Sequence, residues 1–229
     1  MDEQLAIAQT LRYAEELRDV YARERAQRRV AESALEQLRE SYGTTVRALA
    51  AALELRDDQT GGHAERVAGL ALRLAELAAP DLAADPELEY GFFLHDLGKI
   101  GVADAILLKP GPLDAGEMDA MRGHPLLGQR IVARIPYLGG LARQIVLSHH
   151  ERWDGEGYPH GLAGTEIPLA ARIFAVVDAF DAMTNDRPYR TALPPEAAIA
   201  EIERGAGTQF DPTVVKAFIA LTHEQILAA

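Results

Sequence analysis

Residues 170–180 read Ala170-Ala171-Arg172-Ile173-Phe174-Ala175-Val176-Val177-Asp178-Ala179-Phe180, and the reading of this stretch decides the fold class. The run from Ile173 to Val177 is rich in β-branched residues, which favour strands. Its apolar positions nevertheless continue a helical pattern through Ala170, Phe174, Val177 and Phe180. No segment sustains the apolar/polar alternation of a strand. The expected fold class is all-α. Asp178 stands out within the stretch. Amid Phe174, Val176, Val177 and Phe180 an aspartate is costly to bury unless a cation or donor compensates it. Asp181 follows about one turn later and could be solvated or cap a neighbouring helix.

Outward from this stretch, helical patterns separated by Gly and Pro lie near 63–79, 87–97, 114–121, 124–135, 138–150, 166–185, 195–204 and 212–227. Two loops stand out, Gly98 to Pro112 and Arg152 to Pro168, and the second carries Gly155, Gly157, Gly161 and Gly164. A glycine-dense loop of that length in a compact domain is more often functional than idle. The first 56 residues hold one glycine, Gly43, and no proline, so they should be helical almost throughout. A seam in steps of three and four runs Ala14, Leu17, Tyr21, Glu24, Arg28, Ala31, Leu35, Leu38, Tyr42, Thr45, Leu49, Ala52, a heptad register with two charged interruptions. A long helix folded back on the body would also show such a seam. A parallel coiled coil pairing two subunits is the preferred reading.

The chain has 229 residues and a formal net charge of −12. Up to Arg56 nine arginines face ten acidic residues, so the acidity belongs to residues 57–229. That balance does not suit coating a nucleic acid polymer or an anionic membrane, and a phosphate-bearing ligand would need a local source of positive charge. Without cysteine, disulfides, thiolate zinc sites, iron–sulfur clusters and a cysteine nucleophile are excluded. The start Met1-Asp2-Glu3-Gln4 lacks the pattern of a signal peptide, and no apolar run reaches the roughly 18 residues of a membrane helix. A cytoplasmic location is expected.

Six of the seven histidines lie between positions 63 and 160, several at expected helix ends. His63 follows Gly61-Gly62, His95-Asp96 precedes Gly98, His124 precedes Pro125, and His149-His150 precedes the glycine loop. Singly, each has an ordinary explanation as a surface or satisfied core residue. The doublets together with Asp178 point to a metal site of imidazole and carboxylate, chemistry suited to Fe, Mn, Ni, Co or Zn. Adjacent helical residues point about 100° apart and rarely chelate one ion together. The pairs therefore favour a multinuclear site in which a carboxylate such as Asp96 bridges two metals. Two metals can hold a bridging hydroxide and clamp a phosphate for in-line attack.

His63 followed by His95-Asp96-Leu97-Gly98-Lys99-Ile100-Gly101 resembles the HD superfamily of metal-dependent phosphohydrolases. The stretch His149-His150-Glu151-Arg152-Trp153-Asp154-Gly155-Glu156-Gly157-Tyr158-Pro159 resembles the signature of its HD-GYP branch, as does Asp178 through Arg190. The likeness covers about residues 44–220. It implies a helical bundle, a five-helix HD core plus extra helices, in residues 44–229, and the heptad seam makes residues 1–43 the expected coiled-coil signalling helix. It implies hydrolysis of cyclic di-GMP to pGpG, with onward cleavage to GMP left open. It also implies metal ligands at His63, His95, Asp96, His124, His149, His150 and Asp178.

Lys99 would face the scissile phosphate and stabilise developing charge or help protonate the leaving oxygen. A solvated lysine after a helix end is the alternative. Asp181 would be an acid supporting the ligands or touching substrate; with Lys99 and Asp96 it forms the expected catalytic set. Tyr158, Pro159, Arg187 and Arg190 join Asp181 as substrate contacts, and His160 is a loop residue. Two divalent transition metals per subunit are expected, Fe or Mn before Ni, Co or Zn. His63, His95, Asp96 and Asp178 would surround one and His124, His149 and His150 the other, bridged by Asp96. Gln59 stands where some members carry a glutamate supporting a third metal, which argues for two. The partners expected are cyclic di-GMP, a second copy of the chain and an upstream sensory or receiver protein. A weakly active receptor and a phosphohydrolase of another nucleotide are the rival readings.

Overall fold

The computed structural model describes residues 2–57, 62–186 and 191–225, and among them the regular elements are helical, with no strand. The helices are α1 (Asp2–Arg56), α2 (His63–Ala78), α3 (Pro80–Ala83), α4 (Pro86–Leu94), α5 (Asp104–Leu107), α6 (Ala115–Arg122), α7 (His124–Val132), α8 (Leu141–Ser148), α9 (Leu169–Thr184), α10 (Pro195–Arg204) and α11 (Pro212–Gln225). Two 3₁₀ turns occupy Leu97–Gly101 and Gly164–Glu166. The chain divides into two compact units, Met1–Thr45 and Val46–Ala229.

The first unit is a stretch of α1, built from good helix formers and supported by pairs such as Arg28 with Glu32 at 2.8 Å. Of its seam positions, Leu17, Tyr21, Leu35 and Leu38 are exposed. In the second unit α9 is central, packed on α2, α8, α10 and α11. Ile173, Phe174, Val176 and Val177 are all fully buried, which explains the strand-like composition: a helix covered on several sides is apolar almost all round. Phe92 of α4 stacks on Phe174 at 5.3 Å between ring centroids. Burying such a ring contributes about 2–3 kcal/mol.

Several helices are shorter than their sequence patterns suggest. The pattern at 87–97 ends as α4 at Leu94, and Asp96 (φ −93, ψ 4) turns the chain into the 3₁₀ segment. Gly98 permits this turn to lie against α7: a Cβ there would overlap the His124 carbonyl oxygen and sit 2.5 Å from the Gly128 nitrogen. The loop expected over Gly98 to Pro112 therefore contains helical structure, the 3₁₀ turn and α5. The pattern at 138–150 starts only at Leu141, after Gly139-Gly140, where Glu87 accepts from Gly140 N at 2.8 Å. Pro168 likewise delays α9 to Leu169, and the pattern at 124–135 stops at Val132. No described helix is long and apolar enough to cross a membrane.

Candidate metal centre

Three helix endings place histidines where an imidazole can fold back on the helix it follows. His95 follows α4, His149 follows α8, and His124 lies two residues beyond α6. In each, Nδ1 pairs with the carbonyl oxygen three residues back: Phe92 at 2.9 Å, Met121 at 2.9 Å and Val146 at 3.0 Å. Carbonyls in a helix's last turn lack partners ahead of them, so these rings satisfy them. A ring that donates through Nδ1 presents the Nε2 lone pair to whatever lies in front. His63, at the start of α2, is oriented by a carboxylate instead, its Nδ1 lying 2.7 Å from Asp181 Oδ2.

The free ring nitrogens converge. Asp96, His124, His149 and His150 form one group, and His63, His95 and Asp178 another; within each, one potential ligand atom per residue lies within 4.8 Å of the others. Asp96 joins them. Its Oδ1 is 3.2 Å from His124 Nε2 and 3.7 Å from His149 Nε2, while its Oδ2 is 3.2 Å from His95 Nε2. The carboxylate thus turns one oxygen to each side. His63 Nε2 stands 3.6 Å from Asp178 Oδ1. Five imidazoles and two carboxylates, with the described Nδ1 atoms already engaged, are a donor set that fits borderline divalent cations. The structure brings together the seven residues named from the sequence, His63, His95 and Asp178 in one group and Asp96, His124, His149 and His150 in the other.

Charge in the centre is strongly coupled. Burial opposes ionisation of Asp96, but Lys99, His95 and hydrogen bonds from His124 and His149 hold its carboxyl well below the usual range. Lys99 Nζ lies 2.7 Å from Asp96 Oδ2 and 2.7 Å from Asp57 Oδ2. Burial opposes its charge too, yet the two carboxylates raise its pKa above the ordinary lysine value. Burial lowers His149 and His150, His150 strongly with the help of neighbouring His149, so both are neutral at physiological pH as ligands must be. His95 moves the other way: burial disfavours its charge, but Asp96 outweighs it.

A cleft of about 490 Å³ opens beside His149 and His150, its lining also including Asp178, Tyr158 and Arg122. Tyr158 stacks on His150 at 4.7 Å between centroids, and Arg122 lies over the tyrosine ring at 5.6 Å. Burial first, then Asp96, pushes the Tyr158 phenol above its usual pKa, so it remains a hydroxyl. Glu151, buried directly behind this loop's start, accepts from His160 N at 2.8 Å and Leu162 N at 3.1 Å. Gly157 is needed for the close return, since a Cβ there would sit 2.6 Å from Glu151 Cα.

Not every expected site residue faces the cleft. Pro159, joined to Tyr158 by a cis peptide, is half-buried and does not line it. Asp181, expected either to support the ligands or to touch substrate, is buried and bonded to the protein itself. Besides His63 it accepts from Arg66 Nε at 2.7 Å and Asn185 Nδ2 at 3.0 Å. Burial would raise its pKa, but His63 and Arg66 hold it below the usual range. Its geometry is that of a residue orienting His63. Lys99 lies in the pair with Asp57 and Asp96 and is absent from the cleft lining. His160 is an exposed loop residue. Gln59, Arg187 and Arg190 lie outside the described residues.

Sequence reasoning missed Arg66, Arg122 and the anchoring task of Glu151. Arg66 was accessible in principle, because it follows His63 by three positions on a helix and shares its face. Glu151 adjoins the histidine doublet, but its role depends on a loop return that spacing does not specify.

The family model described as HD domain matches residues 47–214. A cyclic di-GMP phosphodiesterase of Thermotoga maritima is 46% identical over 173 residues, covering 75% of this chain and 47% of that protein. The cyclic di-GMP phosphodiesterase response regulator RpfG of Xanthomonas campestris pv. campestris is 40% identical, with 82% and 50% covered. A 3′3′-cGAMP-specific phosphodiesterase of Vibrio cholerae is 39% identical, with 78% and 34% covered. The chain thus spans about half or less of the length of these relatives. Among solved structures, the V. cholerae cyclic GMP-AMP phosphodiesterase V-cGAP3 shares the fold, with a TM-score of 0.61 at 20% identity, covering 81% of this chain and 50% of that one.

Proposed function

The chain belongs to the HD domain family, and from that premise we propose that it is a metal-dependent phosphodiesterase that opens cyclic di-GMP to linear pGpG, whether or not cleavage continues to GMP. The observation that carries this reading is Asp96, which offers one carboxylate oxygen to each histidine group beside a cleft large enough for a nucleotide. Two divalent transition metals per subunit, Fe or Mn before Ni, Co or Zn, would be held by His63, His95, Asp96 and Asp178 on one side and by His124, His149, His150 and the shared Asp96 on the other. Bound there, they would supply the positive charge that clamps a phosphate and the Lewis acidity that activates water.

The chain's own residues do the rest. The carbonyls of Phe92, Met121 and Val146 and the Asp181 carboxylate fix the ring planes of four ligands. Lys99, kept protonated by Asp96 and Asp57, stabilises charge developing on the phosphate or gives a proton to the leaving oxygen. Tyr158 offers a ring face to a base, and Arg122 a planar cation to phosphate or guanine. The resemblance adds Arg187 and Arg190 to this contact set. Asp181 is a positioning residue. The exposed seam of α1, with Leu17, Tyr21, Leu35 and Leu38, supports pairing of two copies as a parallel coiled coil, through which an upstream partner would act.

The test is chromatography of cyclic di-GMP incubated with protein purified anaerobically and loaded with Fe or Mn, with 3′3′-cGAMP as competitor. Appearance of pGpG that ceases with Asp96→Ala is expected. Tight binding without turnover under every metal would favour the receptor reading. Faster cleavage of 3′3′-cGAMP would move the substrate to the hybrid dinucleotide.

A further inference from the structure

We propose that the last turn of α1 and Asp57, which follows it, both in the second unit, are part of the active site, with Asp57 and Arg56 as positioning residues for Lys99. The inference rests on the phosphodiesterase reading above and extends it to residues outside the metal ligands.

Lys99 is gripped at both ends. Asp57 Oδ2 accepts from Nζ at 2.7 Å, and Arg56 Nη1 donates to the Lys99 carbonyl oxygen at 2.8 Å. The same guanidinium donates through Nη2 to Val102 O at 2.6 Å and to Asp104 Oδ1 at 2.7 Å, so it pins the 3₁₀ turn where it begins α5's approach. Two residues before Arg56, Glu54 accepts from Gly62 N at 3.0 Å and Ala64 N at 2.5 Å, the residues on either side of His63. One helical turn therefore touches the segments carrying Lys99 and His63 together.

The arrangement solves a local conflict. Asp96 Oδ2 is claimed by both His95 Nε2 at 3.2 Å and Lys99 Nζ at 2.7 Å. With Asp96 as its sole partner, a flexible lysine would neutralise the carboxylate needed between the two histidine groups. Asp57 supplies a second anion at equal distance, which centres the ammonium and fixes a stem that otherwise samples many rotamers. Both carboxylates are close to fully covered, with 9% and 13% of the Asp57 and Asp96 side chains exposed, so the pairing is weakly screened by solvent.

The experiment is a double-mutant cycle with Asp57→Asn, Lys99→Met and the two combined in the full chain. Metal content, kcat and KM for cyclic di-GMP are read on the loaded proteins, and urea midpoints on the metal-free ones. Asp57→Asn is expected to keep metal stoichiometry and to leave KM within about threefold, while kcat falls about ten- to a hundredfold, the range seen for groups that orient catalytic ones. The double variant should be no slower than Lys99→Met, and Asp57→Glu should recover part of the rate. Multiplicative losses, an unchanged kcat in Asp57→Asn, or loss of metal would overturn the proposal. If the parent protein turns over no cyclic di-GMP, the functional reading fails while the pairing is still decided by the metal-free midpoints. Shifts that add independently there refute it, and coupled shifts support it.

Discussion

Replacing Asp181 by asparagine separates orientation of a ligand from contact with substrate. Asp181 Oδ2 meets His63 Nδ1 at 2.7 Å and Oδ1 meets Arg66 Nε at 2.7 Å. Asparagine keeps the shape but has one acceptor oxygen and no charge. If the oxygen stays with His63, the amide NH₂ confronts the Arg66 guanidinium; if it turns to Arg66, the buried imidazole N–H is orphaned. A charge-assisted hydrogen bond contributes about 1.5–3 kcal/mol. Arg66 is 38% exposed and can turn to water, so the loss centres on His63. A cost of about 2 kcal/mol follows, which in a unit of this size lowers Tm by about 4–8 °C. The effect on metal is more diagnostic, because loss of a carboxylate behind a ligating imidazole typically weakens metal affinity 10- to 100-fold. Metal titration by competition with a chelator and thermal unfolding of the metal-free protein measure both. Unchanged metal affinity and Tm with a raised KM would refute the orienting role and return Asp181 to the substrate.

Gly98→Ala should cost about 3 kcal/mol in urea unfolding, because its Cβ overlaps the His124 carbonyl oxygen and the 3₁₀ turn must leave α7; a loss under about 1 kcal/mol would contradict this packing. Glu151→Gln replaces one of two acceptors holding the loop at His160 and Leu162, so KM for cyclic di-GMP should rise with about 1–3 kcal/mol of lost stability, and an unchanged KM would detach the loop from substrate binding. Leu35→Lys with Leu38→Lys should give monomers in light scattering if the seam pairs two copies, and dimers that persist would place the interface elsewhere.

The helical fold and the ligand types were legible because both leave local marks. The spacing of Ala170, Phe174, Val177 and Phe180 records which sides of α9 meet other helices, and absence of cysteine restricts ligands to imidazole and carboxylate. Helix ends were less legible. The pattern over 87–97 continues past Leu94 because Leu97 is apolar and buried, yet the backbone has already turned so that His95 can fold onto Phe92. Which atoms meet between distant segments is not written in the spacing. Asp181 sits inside an apolar helical stretch whichever way its carboxylate turns, and only the packing of α2 on α9 aims it at His63 and Arg66. The same holds for Asp57 and Lys99, separated by 42 positions.

The joining of two histidine groups by Asp96 is tested most directly by anomalous diffraction from crystals of the anaerobically loaded protein. Two peaks per subunit about 3.5–4 Å apart are expected, one on the His95 side of the Asp96 carboxylate and one on the side of His124, His149 and His150. A single peak, or metals that do not share Asp96, would contradict the account.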